Sequence, residues 1–217
     1  MMSPRTKEQN EEIRKQRKQE ILQAAMHVYV EKGYAASEVG AIADRAGLAH
    51  GLVFYYFKNK KTLFRELYEM LMEESRRFTQ TYFEQEGPVL ELFQHYARIV
   101  CEQVLDRPAV SRFFGRISLD LHHLYTPDEI SPFDWVKNFM RPMTRMLVMG
   151  MEQGMVPAGD ANLMAMQFWG SVSQGMNYLD QVQQELTAED LSEEERKEQL
   201  KKVLDQIVES SVALLKG

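Results

Sequence analysis

Apolar residues recur at helical spacing almost from end to end of this chain. No segment alternates them convincingly at the period of two that a strand requires. Ile21, Ala24, Ala25, Val28 and Tyr29 form one stripe, and Leu63, Leu67, Met70 and Leu71 a second. Ala165, Phe168, Trp169, Val172, Met176 and Leu179 form a third, and Leu200, Val203, Leu204, Ile207, Ser211 and Leu214 a fourth. Such a stripe stabilises a helix mainly when other apolar surface covers it. The chain is therefore expected to be all-α, with about nine helices. Only 7 prolines and 12 glycines in 217 residues leave few places to interrupt them.

The interruptions are where boundaries are predicted. Residues 1–19 are polar and read as a flexible basic and polar arm, with helix from about Ile13 to the stop at Gly33. Ser37 reads as the N-cap of a short helix over 37–46 that ends in the left-handed turn at Gly47. A third short helix fits 49–56, and Lys58-Asn59 breaks it from a long helix over 60–84. Gly87-Pro88 is the strongest punctuation, followed by helices to about Leu105 and from Pro108 to His123. Thr126 to Glu129 is a capping box, repeated at Ser131 to Asp134, so a helix is predicted over 132–153 after a short turn. Asp160 caps the next helix, 183–191 reads as loop, and Ser192 with Glu195 opens the last. The domain division that follows is a head over 20–59 and a body over 60–217.

Net charge is −6, which argues against a nucleic-acid partner until the chain is split. Residues 1–61 hold 11 Lys and Arg against 7 Asp and Glu, a net of +4; residues 62–217 hold 15 against 25, a net of −10. A basic head on an acidic body points to a polyanion met by the head alone. The single cysteine, Cys101, rules out an internal disulfide and a multi-cysteine metal site. No apolar run approaches a membrane span and the N-terminus lacks a secretory pattern, so a cytoplasmic protein without a membrane partner is expected. His122 and His123 are adjacent and lack the i, i+4 spacing of a helical metal pair. There is no Gly-rich phosphate loop and no nucleophile elbow, so no enzyme, cofactor or metal is expected.

The stretch AGLAHGLVFYYFKNKKTLF, Ala46 to Phe64, joins a glycine turn, a short helix, a ring cluster and three lysines. Two short helices joined through Gly47 make a helix-turn-helix pattern, whose second helix lies in a major groove. Lys58, Lys60 and Lys61 follow where phosphates lie, and Ser37 at a helix start offers a hydroxyl and free N–H groups.

The longer segment EILQAAMHVYVEKGYAASEVGAIADRAGLAHGLVFYYFKNKKTLF, Glu20 to Phe64, resembles the N-terminal domain of the TetR family of bacterial transcriptional regulators. The resemblance rests on Ile42-Ala43, Ala46-Gly47, Gly51, Tyr55-Tyr56-Phe57, Asn59-Lys60 and Leu63. It implies an all-helical homodimer in which three helices bind a palindromic DNA operator, a fourth links, and the remainder form a ligand-binding and dimerisation body. By motif position it makes Ser37 a phosphate-contacting cap. It brings Gly40, Ala49, His50, Gly51 and Leu52 to the bases, and Phe54, Tyr55, Tyr56 and Lys60 to the backbone. Three positions depart from the family pattern. Phe54 replaces a usual tyrosine, Ala49 a common serine cap, and Gly40 a larger residue. His50 is the favoured specificity residue.

In the body, nine of 14 methionines lie between Met140 and Met176. Methionine adapts to varied apolar shapes. A pocket for a small apolar or amphipathic effector is read from Phe113, Tyr125, Phe139, Met140, Met143, Phe168, Trp169, Met176 and Asn177. Arg112, Arg116, Arg141 and Arg145 are candidate anchors for an anionic head group. Phe168, Val172, Leu179, Val203, Ile207 and Leu214 are read as the dimer face, helped by small residues such as Gly170 and Ser211. The function expected is a ligand-released repressor. The alternatives are a constitutive DNA-binding factor whose body binds a protein, and a helical enzyme with a degenerate N-terminal motif.

Overall fold

The computed structural model describes residues 6–129 and 132–216, the side chains of 132–135 excepted. Nine α-helices are found among the described residues: α1 (Lys7–Ala36), α2 (Val39–Ala46), α3 (His50–Tyr56), α4 (Lys60–Tyr82), α5 (Val89–Asp106), α6 (Pro108–Leu124), α7 (Pro132–Glu152), α8 (Ala161–Ala188) and α9 (Glu193–Ala213). They form two compact units, Met1–Glu73 with Phe113–Ile130 and Glu74–Arg112 with Ser131–Gly217. The unit holding the helix-turn-helix thus takes in the first part of α4 and most of α6, well beyond residues 20–59.

In the first unit, α1 starts earlier than its apolar stripe indicates. Thr6 and Gln9 form a reciprocal capping box, Gln9 N–H to Thr6 Oγ1 at 3.2 Å and Thr6 N–H to Gln9 Oε1 at 3.0 Å. That cap, with the Arg17–Glu20 pair at 2.7 Å and the Lys18–Glu66 pair, makes helix of residues 7–19, where a flexible arm was expected. The arm's first five residues lie outside the described residues. Gly33 (φ 76°, ψ 174°) kinks α1 rather than ending it. A Cβ there would stand 2.4 Å from Arg116 Nη2, so glycine serves both the backbone and the arginine.

The core of this unit is Ile21, Ala25, Val28, Tyr29, Ile42, Ala43, Val53, Phe57, Leu63, Phe64, Phe113 and Ile117, all buried. The Tyr29 ring meets Phe64 at 5.6 Å and Phe113 edge-on at 5.2 Å, and its hydroxyl donates to Asp120 Oδ2 at 2.7 Å. Tyr34 stacks on His123 at 5.0 Å. The Arg65 guanidinium donates to the Leu124 carbonyl at 2.6 Å and grips both oxygens of Glu129 at 2.7 and 2.6 Å. Most of α6 and the turn after it are therefore built into the head unit by contacts that run from Phe113 to Glu129.

In the second unit, α5, α7, α8 and α9 pack around Phe93, Tyr96, Met143, Leu147, Phe168, Val172, Leu179 and Val208. Phe93 meets Phe168 edge-on at 4.8 Å, and the buried Tyr96 hydroxyl is paired with Thr79 Oγ1 at 2.8 Å. α8 and α9 approach closely where Gly175 leaves room for Ile207: a Cβ would stand 2.3 Å from its Cγ2. Ser171 and Ser211 share a hydrogen bond of 2.8 Å on the same seam. Asp160 caps α8 through the N–H groups of Asn162 and Leu163, and Ser192 with Glu195 caps α9, as predicted. α8 runs on to Ala188, where a loop from 183 was expected. Leu186 is buried there, and Gln183 donates to the Leu105 carbonyl at 3.3 Å, contacts that hold the polar last turns in place. The side chains of the second capping signal, Ser131 to Asp134, lie outside the described residues. α7 does begin at Pro132. Cys101 is buried, and burial pushes its thiol up to about 12, which makes it a core residue.

Candidate nucleic-acid interface

The interface is assembled from α2, the turn and α3. Gly47 takes the left-handed conformation (φ 65°, ψ 33°), and its N–H returns to the Ala43 and Asp44 carbonyls, closing α2. Ala49 stands at the N-cap of α3 in extended conformation with no side-chain hydrogen bond, as its methyl group requires. Val53 and Phe57 point into the core at 1% and 2% exposure, which fixes the outward face of the short α3. His50, Gly51, Phe54 and Tyr55 lie on that face and are exposed, while Leu52 and Tyr56 are half-buried.

Gly40 and His50 form one element. A Cβ on Gly40 would stand 2.5 Å from His50 Nε2, so the imidazole occupies the space the glycine leaves. Phe54, one turn along α3, presents its ring at right angles to His50 at 6.4 Å. The histidine is thus placed by two of the three positions that depart from the expected pattern, Gly40 beneath it and Phe54 beside it. Tyr55 and Tyr56 pack edge to face at 5.3 Å.

Two assignments change. Ser37 is not the cap of α2: it is fully buried, its hydroxyl donates to the Gly33 carbonyl at 2.7 Å, and Glu38 takes the N-cap position without a side-chain bond. The kink at Gly33 carries the end of α1 over the serine. Lys60 reaches back to the Ala35 carbonyl at 3.0 Å and lies over the Tyr34 ring at 4.6 Å, so it ties α4 to α1. Lys58 and Lys61 are exposed. Sequence reasoning missed Asn59, whose Oδ1 accepts from the Thr62 N–H at 2.8 Å and its hydroxyl at 3.1 Å. An asparagine just before a helical run is the signal for such a cap.

The proposed effector residues are divided between the two units. Phe113 and Tyr125 belong to the head unit, Phe113 fully buried against Tyr29 and Tyr125 donating to Glu69 at 2.9 Å. Phe139, Met140, Met143 and Phe168 are in the core of the second unit, with Trp169 and Met176 packed at its edge, while Asn177 is exposed. Phe168, Val172, Leu179 and Ile207 pack inside their own protomer and Val203 lies against that core, so only Leu214, 46% exposed, keeps a free side chain for a dimer face. Of the four arginines, Arg112 is taken by Asp180 in three bonds of 2.8 to 3.0 Å and Arg116 donates to the Val30 carbonyl at 3.2 Å. Among the described residues no group of three His, Cys, Asp or Glu is placed to hold a metal, and no helix is long and apolar enough to cross a membrane.

A glycine turn, a short exposed helix and flanking lysines, held on a helical core, define a helix-turn-helix nucleic-acid-binding protein. Residues 21–67 match the family described as bacterial regulatory proteins, tetR family. The match covers the whole helix-turn-helix, from α1 through α3 into the start of α4. The same region is similar to the HTH-type transcriptional regulator AcrR of Shigella flexneri, 33% identical over 69 residues that make up 32% of this chain and 30% of the relative. It is also similar to a fatty acid metabolism regulator protein of Bacillus subtilis, 42% identical over 53 residues, 24% of this chain and 27% of the relative. The chain spans less than a third of the length of these relatives. The fold extends further. FadR of Bacillus subtilis in complex with stearoyl-CoA superposes with a TM-score of 0.66 at 19% identity, covering 92% of this chain and 97% of that one. PfmR of Thermus thermophilus gives 0.68 at 15% identity, covering 91% and 97%.

Proposed function

We propose that the protein is a homodimeric, non-enzymatic, cytoplasmic transcriptional repressor. It binds a palindromic operator through α3 and is released by a small apolar or amphipathic effector of the fatty-acyl class. The observation that carries the DNA reading is the exposed face of α3. There His50 is held over Gly40, with Phe54 and Tyr55 beside it and Lys58 and Lys61 following. His50 reads a base edge, the rings pack on sugar and phosphate, and the lysines neutralise phosphates. Two heads are needed, because a palindrome presents half-sites about 34–36 Å apart or a multiple of that.

The effector class is supported by the fold likeness to a regulator solved with stearoyl-CoA, and by the Met- and Phe-rich core of the second unit. An effector releases DNA only if it prefers a conformation whose heads are wrongly spaced; affinity alone shifts nothing. Two helices, α4 and α6, run on from one unit into the other and are the covalent routes for such a change.

Fluorescence anisotropy on duplexes spanning the DNA upstream of the coding sequence, at low and physiological salt, tests both halves. Binding to one duplex in preference to the others, lost on adding stearoyl-CoA or a long-chain fatty acid, is expected. Indifference to every duplex at low salt sinks the DNA half, and specific binding unmoved by any acyl compound sinks the effector half.

A further inference from the structure

α7 turns one face to the core through Phe139, Met140, Met143, Met146 and Leu147. Its other face carries Lys137, Arg141, Thr144, Arg145, Val148 and Met149, which with Asn162 of α8 line an open groove of about 320 Å³. The three cations stand at i, i+4 and i+8, about 6 Å apart along the helix axis. None of them has an ion-pair partner among the described residues. This occurs in a segment, residues 62–217, whose net charge is −10. Elsewhere in the same unit arginines are committed: Arg98 to Asp205 at 2.6 Å, Arg107 to Glu74 at 3.3 Å and Arg112 to Asp180 at 2.8 Å. Asp160, two residues before Asn162, is already engaged by the N–H groups of Asn162 and Leu163 at 2.9 and 3.1 Å.

The groove is not only basic. Val148 and Met149 leave 42% and 48% of their surface exposed at one end of it. Thr144 and Asn162, 3.4 Å apart, supply a hydroxyl and an amide between the apolar and the charged ends. Three unpaired cations stepping down to a valine and a methionine describe a head and a tail.

We propose that this groove binds a free small amphiphile with a phosphate head group, the head held by Lys137, Arg141 and Arg145 and the start of the tail by Val148 and Met149. Arginine supplies the planar fork that phosphate oxygens accept, and two successive turns place two guanidinium groups around one head. The site goes beyond the effector reading and needs neither DNA nor a pocket in the core.

Octyl phosphate titrated into the full-length protein by calorimetry is the test, with octanol and inorganic phosphate as controls. Octyl phosphate is expected to bind at least roughly tenfold more tightly than either control. The exposed double substitution Arg141→Gln with Arg145→Gln should weaken it by roughly tenfold or more while leaving the thermal melt in place. Val148→Ser with Met149→Ser should bring octyl phosphate down to the level of inorganic phosphate. Equal binding by the arginine variant overturns the site, and equal binding of octanol or of inorganic phosphate overturns the amphiphile. Co-sedimentation with anionic phosphatidylglycerol vesicles, without binding of monomeric octyl phosphate, would assign the face to a membrane surface instead.

Discussion

On the exposed face, His50 is placed by its neighbours. Its Nε2 lies where a Gly40 side chain would begin, and Phe54 stands at right angles to its ring. Gly40→Ala adds a methyl group that the imidazole must vacate. Because His50 is exposed, it can swing away at little cost, and alanine is the better helix former by roughly 0.5–1 kcal/mol. The substitution is therefore expected to leave the thermal melt unchanged or slightly raised while altering which bases are preferred. Selection of operator variants should show Gly40→Ala and His50→Ala relaxing the same base position. A lowered melt, or changes at unrelated positions, would mean that Gly40 is needed for the fold and not for the placement of His50.

At the scale of elements, what could be read ahead was local. Gly47, Asp160 and Ser192 act within one turn of themselves, so their roles as stop and caps follow from residue type and neighbours. Ser37 has the right type for a cap, yet a kink four residues earlier buries it under the Gly33 carbonyl. Phe113 sits on an apolar stripe like those of the body helices, and which core that stripe enters is decided by Tyr29, 84 positions away in the chain. Periodicity says that a face is covered, and only tertiary packing says by what.

The turn after α6 shows the same division. The box at Thr126 and Glu129 was legible, and its carboxylate does accept from the Thr126 N–H at 2.9 Å. The grip of Arg65 from α4 was not. That guanidinium first, and the Thr126 N–H second, hold the Glu129 carboxyl well below the ordinary range, at about 2. A carboxylate with a depressed folded value contributes stability above its ordinary value and loses it as pH falls toward the folded one. Glu129→Gln should therefore destabilise the head at neutral pH. The gap from the parent should close as pH falls from the ordinary glutamate range toward about 2. Parallel thermal melts across that range check this, and a gap that stays constant with pH would mean that the Arg65–Glu129 contact acts through packing.

At the scale of the whole molecule, the proposed dimer must use surface the protomer leaves free. Phe168, Val172 and Leu179 cannot serve, being fully buried within it. The outer face of α8 is different: Leu163 and Met166 are 52% and 46% exposed, Tyr178 is 56% exposed, and Gly170 lies between them with open space where a Cβ would stand. Ser210 and Ala213 on α9 and Leu214 at its C-cap are exposed as well. Apolar and small residues on a two-helix face suit close antiparallel packing against a second copy, making a four-helix seam. Gly170→Arg places a long cation at the centre of that seam. Its Cβ meets nothing within the protomer, and it replaces the poorest helix former after proline, so the monomer should fold at least as well. Sedimentation equilibrium should then show a mass half that of the parent. Operator binding should fall to the weak, salt-sensitive level of a single head. A variant that remains dimeric would put the seam elsewhere, whereas one that becomes monomeric yet binds the operator at full strength would remove the need for two heads.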